Sequence, residues 1–415
     1  MTSRRVFLKS GAMAMVSLGF APGFVGRAAA QAGGRGKLLI AVFQRGAVDG
    51  LNMVVPYGEA EYYRLRPAIA VPRPAAADGG LDLDGFFALH PRMAPLKPAW
   101  DGGSLAVVHA CGSPDHTRSH FDAQDYMESA TPGVKSTRDG WLNRYLHVVA
   151  DLRGGRLQPG HSSPLRGVAA TRQMPRALHG PAAAISLGSL EEFAVRASRR
   201  VEQSLETAWT NADDPRFADA GRDAFEAMRV LREAATAVPP ADTGYPRSPF
   251  GRALQEIARL ARADVGLEVA FAEATNWDHH ANEGGATGQL ANRLDDFSAA
   301  LAALVRDLGD RMADTVIVTM SEFGRTVAQN GTRGTDHGHG NAVLVLGGPV
   351  RGGRVYGRWP GLAPDQRHDG RDLAITTDFR QVFGELLSGQ MGVSGPGLDR
   401  IFPGFAHGER LGLVR

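Results

Sequence analysis

The chain has 415 residues, of which 46 are Lys or Arg and 44 are Asp or Glu, and its formal net charge is +2. This near-neutral balance argues against a nucleic-acid-binding protein, which would carry a basic domain or a clustered basic face. Apolar residues make up 43% and charged residues 22% of the chain, values that exclude an intrinsically disordered protein. Because Cys111 is the single cysteine, an intrachain disulfide and any multi-cysteine zinc or iron–sulfur site are also excluded.

Residues 1–30 have the features of an export signal. The string SRRVFLK at residues 3–9 closely resembles a twin-arginine signal. An apolar run over residues 11–26 follows, and three alanines ending at Ala30 form a small-residue cleavage site. The run contains glycines and a proline and is shorter than the roughly 20 residues that span a bilayer. We therefore expect the twin-arginine translocase to export the folded chain to the periplasm or the medium, with cleavage near Ala30 and no stable membrane span.

Continuous apolar runs after the signal predict buried strands of a mostly parallel sheet. In chain order these runs cover residues 37–44, 104–109, 315–320 and 341–346, with a weaker run at 183–187. Apolar residues spaced by threes and fours predict amphipathic helices over residues 250–261 and 290–304. We therefore predict a three-layer α/β fold in which helices cover a mostly parallel sheet. It forms a single domain over residues 31–415, with a mainly helical insertion at 190–285.

The histidines are unevenly distributed, because six of the 13 form close pairs: His116/His120, His279/His280 and His337/His339. The first pair lies in the string DHTRSHFDAQ, where the spacing of four predicts that His116 and His120 share a helix face. Ser119 and Asp122 form an S-x-x-D pattern at the helix start, where free amides and the helix dipole favour an anion. Ser119 is therefore a candidate nucleophile toward a charged ester. An ordinary helix cap beside two surface histidines explains the same pattern.

Two further segments offer metal ligands. Asp278 and His280, in the string WDHHAN, present a carboxylate and an imidazole in a loop, a combination that suits zinc or manganese. Asp49 follows the first predicted strand and is flanked by Gly46 and Gly50, so the backbone can turn and aim its carboxylate over the sheet edge. A turn aspartate is the competing interpretation of Asp49.

The third histidine pair lies between two predicted strands. Glu322 directly follows the first of them, and ligands of open α/β sheets bind at the carboxyl ends of strands. Asp336, His337 and His339 lie in the string GTDHGHG, on the loop that returns to the next strand. The convergence of these segments predicts a metal site. A helix cap at Ser321 with solvated loop histidines is the alternative.

Several strings together resemble the family called domain of unknown function 1501, from about residue 37 to the C-terminus: RGAVDGLN, SPDHTRSHFDAQ, WDHHAN, SEFGRT, GTDHGHG and GRDLAITTDFR. The order of these motifs resembles, more distantly, the alkaline phosphatase and sulfatase superfamily. That resemblance implies an alkaline-phosphatase-like fold with Ser119 at the nucleophile position and one or two bound metals. The metal ligands that it implies are Asp49, Asp278, His280, Glu322 and His337 or His339.

The sequence departs from the superfamily at one position. Where the superfamily has Asp-His-Gly, this chain has Glu322, Phe323 and Gly324, so an apolar ring that cannot ligate replaces one imidazole. Three interpretations remain open: His116 or His120 substitutes for it, a single metal suffices, or the catalytic centre has been lost.

The leading functional hypothesis is an exported, metal-dependent hydrolase of phosphate or sulfate esters. A divalent zinc, manganese or calcium ion would assist Ser119 in attacking a small anionic ester. His116 or His120 would act as acid or base, and Arg118 or Arg325 would hold the anion. The alternative is a non-catalytic secreted binding or assembly protein that retains the fold. An oxidoreductase with copper or iron is less favoured, because no Cys or Met ligand lies near the histidines.

Overall fold

The computed structural model describes residues 36–152, 165–190 and 215–415, with the side chains of residues 215–224 left aside. The expected export signal at residues 1–30 lies outside the described residues, as does the first part of the predicted insertion, residues 191–214. Within the described residues, no helix combines the length and the apolar character that crossing a bilayer requires.

The strands of the described chain form one large and one small sheet. They are β1 Leu38–Gln44, β2 Val54–Val55, β3 Leu81–Asp82, β4 Ala88–Leu89, β5 Leu105–Gly112, β6 Gly167–Ala169, β7 Ile185–Ser186, β8 Val269–Ala274, β9 Thr315–Met320, β10 Asn341–Gly347, β11 Arg354–Tyr356 and β12 Thr377–Asp378. In the large sheet the order is β11-β5-β10-β9-β1-β8-β6-β7, and β12 also pairs with β5. β10 runs antiparallel to β5 and β9, whereas the other pairs are parallel. The small sheet has the order β2-β4-β3.

The helices cover both faces of the large sheet. They are α1 Gly50–Met53, α2 Ala60–Leu65, α3 Lys97–Asp101, α4 His120–Ser129, α5 Trp141–Leu152, α6 Pro215–Ala237, α7 Pro249–Arg262, α8 Gln289–Leu308, α9 Phe379–Gly389 and α10 Gly395–Ile401, with short 3-10 helices at Pro91–Leu96, Arg176–Leu178, Gly309–Asp314 and Pro364–Gln366. Side chains alternate between the two faces of a strand. Ile40 of β1 packs in the same cluster as the apolar residues of α7 and α8, and Ala41 packs with those of α5 and α9. The predicted three-layer α/β fold with a mostly parallel sheet is confirmed.

Strand β8 lies inside the range that the sequence predicted as a mainly helical insertion. It pairs along its length with β1, from Leu39 opposite Val269 to Gln44 opposite Ala274. The predicted insertion at 190–285 therefore contains helices α6 and α7 but also a central strand of the sheet. The strand was missed because its string VAFAEA is rich in alanine and contains a glutamate, both of which are depleted in strands.

Candidate metal centre

One edge of the large sheet gathers the loops that carry the candidate ligands. The carboxyl ends of β5, β8 and β9 and the amino end of β10 lie at this edge, because β10 is antiparallel to its neighbours. His120, Asp278 and Glu322 follow the first three of these strands, and His337 precedes β10. His120, Asp278 and His337 offer ligand atoms within 4.8 Å of one another. We call these three residues and the adjoining His280 the aspartate–histidine group.

Each imidazole of the aspartate–histidine group has its Nδ1 atom hydrogen-bonded to an oxygen. The bonds run from His120 to Glu322 (2.8 Å), from His337 to the carbonyl of Arg118 (2.8 Å) and from His280 to Asp336 (3.1 Å). When Nδ1 carries the donated proton, Nε2 keeps its lone pair. Metal-bound histidines use this arrangement, in which an oxygen fixes the tautomer and the ring orientation.

The Nε2 atoms of the group point to the carboxylate of Asp278. His280 Nε2 lies 3.0 Å from Asp278 Oδ1 and 3.0 Å from His337 Nε2. His337 Nε2 lies 3.4 Å from Asp278 Oδ1, and His120 Nε2 lies 3.6 Å from Asp278 Oδ2. At that length His120 Nε2 is not hydrogen-bonded, and it is buried without a partner. The Nε2 lone pairs of His280 and His337 face each other and repel unless a proton or a cation lies between them. The group therefore offers nitrogen and oxygen donors that suit a bound cation.

Glu322 is buried at the end of β9 and orients His120. Its Oε1 atom accepts hydrogen bonds from His120 Nδ1, from the Gly46 amide and from Gln124 Nε2, at 2.8, 2.8 and 3.0 Å. Burial favours the neutral acid, but these hydrogen bonds outweigh burial and hold the pKa of Glu322 below its usual range. The hydrogen bond that His120 donates to Glu322 in turn raises the pKa of His120. The sequence predicted Glu322 as a metal ligand, whereas in the structure its carboxylate is hydrogen-bonded to the Nδ1 atom of His120.

Arg325 holds the carboxylate of Asp278. Its Nη2 atom donates to Asp278 Oδ1 at 2.6 Å, while Nε and Nη1 donate to the carbonyls of Ala47 and Thr335 at 2.6 and 3.1 Å. Burial would raise the pKa of Asp278, but the hydrogen bond and charge of Arg325 hold it below the usual range. Arg325 is 2% exposed and all its nitrogens are engaged within the protein. It is therefore placed to orient Asp278 and not to clamp an anion, which was its predicted role.

Asp336 plays a similar part for His280. Its Oδ1 atom accepts hydrogen bonds from Asn330 Nδ2 and His280 Nδ1, both at 3.1 Å. The sequence predicted Asp336 as a metal ligand, but its bonded oxygen faces the Nδ1 side of the ring. Asp336 thus fixes the direction in which the Nε2 atom of His280 points.

The apolar ring of Phe323 packs against the aspartate–histidine group. It is 4% exposed, and its ring centroid lies 5.0 Å from that of His120 and 4.9 Å from that of His337. The structure thus places the imidazole of His120 against the ring of Phe323.

Ser119 lies between Arg118 and His120 in the chain. The carbonyl of Arg118 is hydrogen-bonded to His337, and His120 belongs to the aspartate–histidine group. Ser119 is the N-cap of α4, but its hydroxyl makes no capping hydrogen bond. Arg118 is paired through Nη2 with Asp372 at 2.8 Å. No hydrogen bond within the described part of the chain engages its Nε or Nη1 atom. Arg118 and Ser119 thus directly precede His120 in the chain and, among the described residues, keep hydrogen-bond donors without partners.

His116 does not share a helix face with His120, contrary to the prediction. Helix α4 begins only at His120, because the Thr117 amide donates to Asp115 Oδ1 at 2.8 Å and keeps the preceding segment in an Asx turn. The ring of His116 stacks instead on His339 and on His368, with centroids 5.6 and 5.1 Å apart. We call these three residues the three-histidine group.

His368 was not selected from the sequence. It begins the string HDGRD, in which Asp369 and Gly370 have φ values of 54° and 65° and form a tight turn. Asp-Gly is the signal for such a turn, and it was the available clue that His368 has a fixed position. Burial, followed by the neighbouring His368 and His116, lowers the pKa of His339 to about 4.

Asp49 does not join either group. Its carboxylate is 2% exposed and forms a two-pronged ion pair with Arg66, whose Nη2 atom lies 3.1 Å from Oδ1. Burial opposes ionisation, but Arg66 holds the pKa of Asp49 below its usual value. Burial and the Asp49 charge raise the pKa of the adjacent Glu283 well above its usual value. The predicted first-strand ligand thus lies in a buried ion pair that ties the start of α1 to the loop after α2.

Among curated proteins, no sequence matches the chain. Among solved structures, the chain is similar to the crystal structure of the PsFucS1 sulfatase from Pseudoalteromonas sp., with 13% sequence identity and a TM-score of 0.33. The match covers 79% of this chain and 66% of the sulfatase chain, a little under two thirds of that protein.

The family comparison covers most of the sequence. The model of the family described as "Protein of unknown function (DUF1501)" matches residues 36–402. This range contains every member of both groups. The chain belongs to the DUF1501 family.

Proposed function

We propose that this chain is an exported, metal-dependent hydrolase of phosphate or sulfate esters. The observation that carries the proposal is the convergence of three histidine Nε2 atoms on the Asp278 carboxylate. Ser119, whose hydroxyl makes no capping hydrogen bond, directly precedes one of these histidines, His120, in the chain. Neither family membership nor the fold supplies an activity, so the proposal depends on the chemistry of these side chains.

The donor set fits a divalent transition metal. His120 Nε2 is a buried nitrogen that lacks a partner, and such an atom is costly unless something satisfies it. Three imidazoles and one carboxylate suit zinc and also manganese or iron. They do not suit calcium, which takes six to eight oxygen ligands. We therefore favour zinc among the ions that the sequence suggested, with His120, Asp278, His280 and His337 as its ligands.

Ser119 and Arg118 supply the groups that would meet the ester. Ser119 Oγ stands at the N-terminus of α4, where unpaired amides favour the negative charge of a phosphate or sulfate oxygen. Among the described residues Nε and Nη1 of Arg118 have no partner, and each can donate a single charge-assisted hydrogen bond to a second oxygen. A bound divalent ion would lower the pKa of a nearby hydroxyl and stabilise charge on the transferring group. His116 and His120, predicted as acid or base, both lie in candidate ligand groups, so neither is given a separate proton-transfer step.

The experiment compares metal content and turnover in two matched serine variants. The purified chain is assayed for bound metal and screened with aryl phosphates and aryl sulfates. Ser119→Ala should retain the metal and lose turnover by several orders of magnitude. Ser394→Ala is the control, because Ser394 is also an N-cap serine without a capping hydrogen bond.

Two outcomes count against the proposal. Absence of both metal and Ser119-dependent turnover overturns the metal-dependent hydrolase. Bound metal without any turnover supports the alternative, a secreted binding or assembly protein that keeps a structural ion.

Export is the second part of the proposal, and the SRRVFLK string at residues 3–9 supports it. The twin-arginine route carries folded proteins, which suits a chain that acquires a metal before export. The mature chain then needs no oxidative folding, since Cys111 is single and buried.

A further inference from the structure

Among the described residues, the rings of the three-histidine group form one hydrogen bond, which joins two members of the group itself. His339 is buried, yet neither of its ring nitrogens has a hydrogen-bond partner among the described residues. His116 Nδ1 and His368 Nε2 face each other at 3.3 Å. Each of the three residues can place one ring nitrogen within 4.8 Å of the others. Three imidazoles gathered in this way can offer their ring nitrogens to one shared partner.

The backbone that carries each of the three rings is held independently. His368 starts the Asp-Gly turn, and its amide and carbonyl pair with Asp372 at 2.9 Å in both directions. The His339 carbonyl accepts from the Gly324 amide at 2.8 Å. His116 is held in the Asx turn of Asp115. The convergence of the rings is therefore built into three separate loops and does not depend on one mobile segment.

We propose that His116, His339 and His368 form a second metal site, which binds a late first-row divalent ion such as zinc through three imidazoles. In a tetrahedral zinc site with Zn–N bonds of 2.0–2.1 Å, the ligand nitrogens are about 3.3 Å apart. The separation of His116 Nδ1 and His368 Nε2 matches that value. The other pairs need movements of no more than about 1.5 Å, which side-chain rotation supplies.

The chemistry of the ligands determines which ions the site selects. Neutral imidazoles bind zinc, copper and nickel well, whereas magnesium and calcium prefer oxygen ligands. Asp369 Oδ2 lies 3.5 Å from His368 Nε2, so this carboxylate is close enough to complete the coordination.

The two groups share their chain segments. The string DHTRSH contains His116 of the three-histidine group and His120 of the aspartate–histidine group. The string DHGHG likewise contains His339 of the first group and His337 of the second. Arg118 and Ser119 lie on the segment between them. The site gives His116 a ligand role, and it is independent of the proposed hydrolase function, because none of its ligands belongs to the aspartate–histidine group.

Zinc stoichiometry tests the site. The full chain is stripped with a chelator, titrated with zinc alone in a calorimeter, and analysed for bound zinc by mass spectrometry. We expect two zinc ions per chain for the wild type and one each for His368→Ala and His337→Ala. His147→Ala should keep two, because His147 is an exposed histidine of α5 outside both groups. Circular dichroism and the urea midpoint of each metal-free variant establish that it is folded.

The results separate this site from the proposed function. Wild-type stoichiometry in both His368→Ala and His116→Ala overturns the second site. If His337→Ala alone loses an ion, this site fails and the hydrolase centre stands. If His368→Ala alone loses an ion, this site is supported and the proposed hydrolase centre fails. His368→Gln, which preserves more of the side-chain volume, replaces His368→Ala if the alanine variant is unfolded.

Discussion

Replacing Glu322 by glutamine tests how the aspartate–histidine group is held. Gln has the same shape and keeps one oxygen for the three donors that now meet Oε1, but it carries no charge. The hydrogen bonds that His120, Gly46 and Gln124 donate are charge-assisted in the wild type and neutral in the variant. Neutral hydrogen bonds are roughly half as strong as charge-assisted ones. The expected loss of folding stability is about 1–3 kcal/mol.

The larger effect should be on metal binding. Glu322 fixes the ring and the tautomer of His120, and loss of such a partner typically weakens metal affinity by about 10–100-fold. That range corresponds to about 1.4–2.7 kcal/mol of binding free energy. Zinc affinity is measured by competition with a chromogenic chelator. The His368→Ala background is used so that the three-histidine group does not contribute.

Glu385→Gln is the matched control. Glu385 is a buried glutamate of α9 that accepts a hydrogen bond from the Leu411 amide at 2.6 Å, far along the chain from the group. The Glu385→Gln variant should lose folding stability without losing zinc affinity. Unchanged affinity in Glu322→Gln would refute the positioning role. A folded Glu322→Gln variant with no measurable binding would instead show that Glu322 is itself a ligand, as the sequence predicted.

Three further outcomes are expected. Asp49→Asn leaves Arg66 buried without its counter-ion and should cost about 3–5 kcal/mol in chemical unfolding, with zinc stoichiometry unchanged; loss of an ion would restore Asp49 as a ligand. Burial lowers the pKa of His109 from 6.5 to about 4, so the unfolded chain takes up this proton first. His109 by itself should lower stability by on the order of 3 kcal/mol between about pH 6.5 and 4, and His109→Asn should remove this contribution from the pH dependence measured in urea titrations. Exchange of Arg4 and Arg5 for lysines should retain the precursor in the cytoplasm, as fractionation would show, and normal export would contradict the signal.

The central strands and helices could be predicted from the sequence because their patterns are local. The runs that became β1, β5, β9 and β10 are apolar throughout, as strands buried on both faces must be. Helix α8 follows a regular spacing of apolar residues from Leu290 to Leu304. Strand β8 could not be predicted from its own sequence. Its alanine-rich segment forms a strand because it pairs with β1, and the segment alone does not encode that long-range contact.

The membership of the candidate centre was only partly predictable. Asp278, His280, His337 and His120 were selected because histidines paired with acids are unusual, and the structure brings them together. Glu322 was selected because it follows a strand, Asp336 because it lies beside a histidine pair, and Arg325 as a donor to an anion. In the structure these three residues instead form hydrogen bonds to members of the group. A sequence gives residue types and their order along the chain. It does not tell which atom of a carboxylate or a guanidinium faces which neighbour.

The sequence by itself determined the fold class, the family and the sheet edge at which the polar loops meet, because hydrophobic patterns and strand ends are properties of short segments. Tertiary structure decided that Asp49 is buried against Arg66 and that His116 leaves the helix to stack with His339 and His368. Both outcomes depend on residues 17 to 252 positions away along the chain. Burial and hydrogen bonding across such separations fix the side chains, and with them the distinction between one histidine cluster and two.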